Sequence, residues 1–226
     1  MPFRVAFRLE LPFGRCVGLK LPAAESVEAA AAISKLHPAE RQLVDNAGPW
    51  RQVTWAGGRL ALHGALADLG LDDGPVLRTD RGAPALPPGV SASISHKDRI
   101  AVALAAPSDP GGWRVGVDVE SVVGKRTSIE RRVLTDFELA RVDHLPADQR
   151  TRAVLTHFSA KEAVYKALDP FVARYVSFQE IELAFGADER VAVTLRLAQG
   201  EGPFDAEVAW RPWDDVVLTC ARVRRG

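Results

Sequence analysis

The sequence predicts an α+β chain made of a pseudo-twofold pair of similar α+β subdomains. Three observations predict it. Segments of period two, typical of strands, flank segments of helical period in both halves of the chain. The run Ala106-Pro107-Ser108-Asp109-Pro110-Gly111-Gly112 breaks the composition near the middle and marks the join. The 226 residues are 47% hydrophobic, enough for one large core or two small ones. We therefore expect subdomains over residues 1–107 and 108–226. No sequence repeat relates them by eye.

Taken in order, Phe3 to Leu9 and Cys16 to Lys20 read as strands around a Pro-Phe-Gly turn. Ala23 to His37 is Ala-rich and helical, with Glu25 and Glu28 early, where the helix dipole favours acid. A second helix is expected from Arg59 to Leu69, stopped by Gly70. Asp72 to Pro88 reads as a loop. Ala92 to Ile94 and Ile100 to Ala105 read as strands around a turn at Ser95-His96-Lys97-Asp98. Beyond the join, Arg114 to Val119 is a strand. Helices follow at about Ile129 to Leu134, Asp136 to His144 and Asp148 to Leu168, then three or four strands from Ile181 to Val223. Gly200-Glu201-Gly202 reads as a hairpin turn.

Lys+Arg and Asp+Glu are both 29, so the formal charge is zero and nothing favours a nucleic-acid or membrane-surface partner. Cys16 and Cys220 have no zinc or CxxC spacing and are expected reduced. The first residues, Met1-Pro2-Phe3-Arg4-Val5, lack a signal-peptide pattern, and no apolar run reaches membrane-spanning length. A cytoplasmic protein is expected. GxSxG, P-loop, GxGxxG and HExxH motifs are absent, and His37, His63, His144 and His157 show no mutual metal spacing.

Two segments carry the chemistry. In Gly116-Val117-Asp118-Val119-Glu120 the period of two puts Asp118 and Glu120 on one strand face, with Cα atoms roughly 6.5 Å apart. Two carboxylates so placed repel unless a cation lies between them, and a hard divalent cation suits them. The alternative is a solvated strand face. In Phe158-Ser159-Ala160-Lys161-Glu162-Ala163-Val164-Tyr165-Lys166, Glu162 and Lys166 share a helix face and Lys161 adjoins them. The alternatives are an ordinary surface pair, or a capping box in which Ser159 starts the helix and Glu162 closes it. Ser95-His96-Lys97 could hold a phosphate or form a hairpin tip. Arg51 and Arg59 flank Trp55-Ala56-Gly57-Gly58, with Arg59 at the expected helix start, where backbone N–H groups favour anions.

In order and separation, Ser95-His96, Gly116-Val117-Asp118-Val119-Glu120 and Phe158-Ser159-Ala160-Lys161-Glu162 with Lys166 resemble the 4′-phosphopantetheinyl transferase superfamily. The length and two-part layout are similar to its monomeric surfactin/enterobactin-type branch. The resemblance implies transfer of phosphopantetheine from coenzyme A to a serine of an apo carrier protein, with release of 3′,5′-ADP. It implies Asp118, Glu120 and Glu162 as ligands of magnesium, for which manganese could stand in. It implies Ser95 and His96 at the 3′-phosphate, Lys161 and Lys166 on phosphates, and Lys166 as the group that neutralises the leaving phosphate. Arg51 and Arg59 would bind CoA phosphates. Gly82-Ala83-Pro84 lacks the lysine often found there in the family, and Arg81 would substitute. Glu162 or Glu138 would serve as base toward the carrier serine. CoA would lie in a cleft between the halves, and an acidic carrier would dock near a patch of Lys125, Arg126, Arg131 and Arg132. A non-catalytic CoA-binding module of the same fold is the alternative.

Overall fold

The computed structural model describes residues 3–71, 74–108, 112–123, 129–186 and 190–226. The chain divides into two compact units, Met1–Asp109 and Pro110–Gly226. Of the expected join, residues 109–111 lie outside the described residues, as do Lys125 and Arg126 of the expected docking patch.

The first unit opens with strands β1 (Arg4–Leu11) and β2 (Gly14–Lys20). Helix α1 (Val27–Ser34) begins later than composition suggests, because Ser26 caps it by accepting from the Ala29 N–H. Glu25 thus precedes the helix. Pro38 then starts a separate short helix, α2 (Pro38–Gln42), N-capped by His37. Helix α3 runs from Pro49 to Ala67, so Arg59 sits in mid-helix and not at its start. The Trp-Ala-Gly-Gly run that reads as a break is a packing surface. A Cβ on Gly57 would come within 2.3 Å of the Leu21 side chain, and one on Gly58 within 2.8 Å of Ile94. The helix lies that close to the sheet beneath it. Strands β3 (Val90–Lys97) and β4 (Ile100–Pro107) complete an antiparallel sheet of order β1-β2-β4-β3. Ser95 and His96 are paired strand residues, and the turn is displaced to Asp98-Arg99, with Asp98 at φ +46°.

The second unit has the same plan. Strand β5 (Arg114–Ser121) is followed by α4 (Glu130–Val133), α5 (Asp136–Val142) and the long α6 (Ala147–Val172). Four strands close it: β6 (Ile181–Phe185), β7 (Val191–Leu195), β8 (Phe204–Trp213) and β9 (Val216–Arg225). Their antiparallel order is β5-β9-β8-β7-β6. Gly200-Glu201-Gly202 falls in the connection between β7 and β8. Ala163, Val164, Ala167 and Leu168 of α6 pack on Ile181, Leu183, Ala221 and Val223. In unit one α3 covers β2 and β4; in unit two α6 covers β5 and β9. The neighbours β2-β4-β3 thus correspond to β5-β9-β8.

Side chains repeat as well. Glu40 is fully buried and closes a capping box with His37. One of its oxygens takes His63 of α3 at 2.8 Å and the Val76 N–H at 2.9 Å. Glu138 is fully buried and closes a capping box with Thr135. It takes Lys161 of α6 at 2.6 Å and the Leu183 N–H at 2.6 Å. In each unit the helix partner lies 23 residues after the carboxylate. Both cysteines are buried and neither is in a disulfide, and burial pushes the Cys220 thiol up to about 12. Among the described residues no helix is long and apolar enough to cross a membrane.

Candidate active site

Gly116 explains how β5 and α6 come together. A Cβ there would lie 1.9 Å from the Ala163 carbonyl oxygen and 3.0 Å from the Ala167 nitrogen. Only glycine permits that approach, and it identifies the face of β5 turned to α6. By alternation Asp118 and Glu120 share this face, and both are buried. The face is therefore not a solvated one. Behind Asp118 its strand partner Thr219 meets Ser159 of α6, hydroxyl to hydroxyl at 2.8 Å. Ser159 is thus a buried mid-helix residue and not an N-cap.

Lys166 reaches across from α6. Its Nζ donates to Asp118 Oδ1 at 2.8 Å and to the Val117 carbonyl at 3.0 Å. Glu162 lies one helical turn earlier. Burial pushes its carboxyl up from the usual carboxylate range, and the Asp118 and Glu120 charges push the same way, while Lys166 opposes them. Three carboxylates and one lysine therefore share one electrostatic neighbourhood on the β5–α6 seam. Among the described residues no three acidic, histidine or cysteine side chains form a closed metal cluster. The donor set still fits a hard cation. It offers only carboxylate oxygens and stands on two rigid elements. An ion that keeps waters and takes phosphate oxygens needs no complete protein cage.

Lys161 and Glu138 are placed otherwise than expected. Lys161 has no exposed side-chain surface, and its Nζ donates to the Val133 carbonyl at 2.7 Å, Glu138 Oε2 at 2.6 Å and the Phe178 carbonyl at 3.0 Å. Its three donors are all used inside the unit, so none is left for a phosphate. Burial draws its pKa down and Glu138 opposes the shift. Glu138 is equally enclosed, and it also accepts from the Thr135 N–H at 2.7 Å. A carboxylate held by three donors and sealed from solvent is a structural anchor and not an accessible base. Arg131 and Arg132, the described part of the docking patch, are exposed on α4.

The remaining predicted site residues belong to the first unit. Arg51 is exposed, 5.9 Å from the Trp55 ring centre. Arg59 is buried, stacks at 4.0 Å on Trp55, and donates to the Val76 and Leu77 carbonyls at 2.8 and 3.0 Å. Burial lowers its pKa to about 10; Glu40 opposes this, and Arg51 and Arg78 reinforce it. Arg59 thus braces the segment after α3, and Arg78, which the motif reading missed, joins a local cluster of arginines. Only an expectation of a structured Val76-Leu77-Arg78 segment would have revealed it. Arg81 is exposed beside Gly82, at φ +88°, in a turn closed by Gly82 N–H to the Thr79 carbonyl at 2.9 Å. Ser95 is buried and His96 exposed, on opposite faces of β3.

Two family models match the chain: the 4′-phosphopantetheinyl transferase N-terminal domain over residues 39–106, and the 4′-phosphopantetheinyl transferase superfamily over residues 114–221. The 4′-phosphopantetheinyl transferase Svp of Streptomyces mobaraensis is 31% identical over 208 residues, covering 84% of this chain and 80% of Svp. The chain belongs to the 4′-phosphopantetheinyl transferase superfamily. The 4′-phosphopantetheinyl transferase Npt of Nocardia iowensis is 30% identical over 176 residues, covering 77% of this chain and 75% of Npt. Among solved structures, the Chronobacterium ammoniagenes ACPS-CoA complex matches half of this chain and 98% of its own, at 22% identity and TM-score 0.42.

Proposed function

We propose that this transferase moves 4′-phosphopantetheine from coenzyme A to a carrier-protein serine on the β5–α6 seam, with Asp118, Glu120 and Glu162 as magnesium ligands. One observation carries the assignment: Gly116 lets α6 press on β5, which gathers those carboxylates and Lys166 at one place. Magnesium, when bound there, would supply positive charge to the CoA pyrophosphate. The serine Oγ attacks the phosphorus nearer the pantetheine. The bond from that phosphorus to the bridging oxygen breaks, and 3′,5′-ADP leaves.

The side chains divide this work. Lys166, which pairs with Asp118 at 2.8 Å, is the cation that would neutralise the departing phosphate. Glu162 is the base that receives the serine proton, directly or through a water. It is partly exposed; without a metal, burial raises its proton affinity, Asp118 and Glu120 reinforce this and Lys166 opposes it. Glu138 has no such access. Arg51, Arg81 and His96, the exposed members of the first-unit set, remain the CoA contacts we propose.

The test is carrier mass. Apo carrier protein incubated with this chain, CoA and magnesium should gain one phosphopantetheinyl group. Asp118→Ala should retain its fold by circular dichroism and lose turnover by at least roughly a hundredfold, as expected when a metal ligand is removed. Undiminished turnover by that variant would remove Asp118 from the site. No mass gain with any of several apo carriers would sink the function.

A further inference from the structure

Helix α6 has 26 residues and so spans about 39 Å by its rise, longer than the strands it covers. Its N-terminal turns run past the packed part of the sheet. Between those turns, α5 and the sheet lies a cavity of about 710 Å³. It is the size of a small-molecule site. None of Asp118, Glu120, Glu162 or Lys166 lines it.

Its wall is aromatic. Phe185 sits 4.6 Å from the His157 ring and 6.1 Å, edge to face, from Trp210. Val142 and Leu145 add apolar surface. His157 is buried and its Nδ1 lies 2.8 Å from the Ala153 carbonyl. A carbonyl only accepts, so Nδ1 carries the proton and Nε2 is left as an acceptor in the wall. Burial lowers the ring's pKa, Lys161 and Arg141 act the same way, and the Ala153 carbonyl and Glu138 oppose them. The rim is charged. Arg141 and Arg152 are exposed there, and neither has an ion pair among the described residues. Arg141 lies 5.5 Å from the Phe137 ring centre. Asp148 is the opposing charge on the rim. Among the described residues of the mouth, two guanidinium groups face one carboxylate, a cationic excess over an apolar interior. The first turn of α6 also opens at this rim with no side-chain cap on its N–H groups.

We propose that this cavity is a second ligand site, for a small organic anion with a flat apolar body and one carboxylate. The body lies against Phe185 and Trp210. The carboxylate meets Arg141 and Arg152, whose planar forks match it better than any neutral group would. The site stands apart from the transferase chemistry and does not depend on it.

Isothermal titration of the full chain with phenylacetate, benzyl alcohol and benzylamine tests this. These probes share a ring and differ in charge. Phenylacetate should bind saturably at one site, at least roughly tenfold tighter than benzyl alcohol. The double variant Arg141→Ala/Arg152→Ala should lose that advantage while binding benzyl alcohol as before. Both arginines are exposed, so its melting temperature should match the parent's. Saturating CoA should leave phenylacetate binding unchanged. The proposal is overturned by absence of saturable phenylacetate binding, by equal affinity in the double variant, by preference for benzylamine, or by displacement with CoA.

Discussion

At the scale of single residues, two neighbours in the chain do opposite kinds of work. Lys161 is sealed in unit two with every donor occupied, while Glu162 looks onto the acidic seam. A motif containing Lys-Glu cannot distinguish them, because adjacent helical residues differ by only about 100° in direction. What decides is the carboxylate 23 residues upstream. Breaking a buried pair by removing one partner leaves the other charged and unpaired, which costs about 3–5 kcal/mol. We expect Lys161→Met to lower unfolding stability by that order in urea titrations. Replacing both partners, as Lys161→Met with Glu138→Leu, should recover much of the loss. CoA affinity of the folded protein, measured by titration below its melting range, should stay within about threefold of the parent's, less than the loss of a charged phosphate contact would cause. A tenfold or larger loss of CoA affinity in both variants, with the fold intact, would return Lys161 to the phosphate site.

At the scale of elements, the proposed active seam is a matter of how closely a helix can approach a strand. A methyl at position 116 cannot coexist with the Ala163 carbonyl at 1.9 Å, and the obstacle is backbone, which does not rotate away. Gly116→Ala must lift α6 from β5. Overpacking of this kind typically costs about 1–3 kcal/mol. The larger effect falls on chemistry: Glu162 and Lys166 move away from Asp118, so magnesium-dependent transfer should fall by more than roughly a hundredfold, a misplacement effect. Parent-like turnover by Gly116→Ala would show that the seam need not be tight. Much at this scale was legible beforehand. The alternating Val-Asp-Val-Glu strand and the helix through Glu162 were readable because their periods are strong and uninterrupted. The start of α3 was hidden, since Gly57 and Gly58 carry poor helix propensity and their reason lies in Leu21 and Ile94, far off in sequence. The turn at Asp98-Arg99 was misplaced because Ser95 and His96 are polar, yet a paired strand accepts polar residues on both faces. The Glu138–Lys161 pairing had no signal of its own, because the Thr135–Glu138 capping box marks a helix start and not a partner 23 residues on.

At the scale of the whole chain, the two units share a frame and differ in what they place on it. Where unit two has Lys161, Glu162 and Lys166, unit one has His63, Gly64 and Asp68, at the same spacing from its buried carboxylate. Arg8 binds both the Gly64 carbonyl and Asp68, so that position in unit one is a surface contact and not an acidic seam. The frame also holds carboxylates that keep their charge in the folded state. In unit two, Arg174 just beyond α6 grips Glu180 with two hydrogen bonds and Glu201 in the β7–β8 connection with two more. Its hydrogen bonds hold both carboxyls at about 2, against an ordinary value of 4.5. In unit one burial would raise the Glu40 carboxyl, but His63 and the Val76 and His37 N–H groups outweigh it and leave it lowered. A carboxylate whose folded pKa is depressed makes the unfolded chain the better proton binder between the two values, so stability rises with pH across that window. The contribution is complete above about pH 4.5 and is lost as the pH falls toward about 2. Glu180→Gln removes part of it. The gap in urea midpoint between parent and variant should be widest at neutral pH, begin to close below 4.5 and vanish near 2. Glu182, also lowered by its bond to Arg196, titrates in both proteins alike and cancels in the difference. A gap that stays constant from neutral pH down to about 2 would mean that Arg174 holds Glu180 by shape alone, because only a charge-dependent grip can vary with the proton.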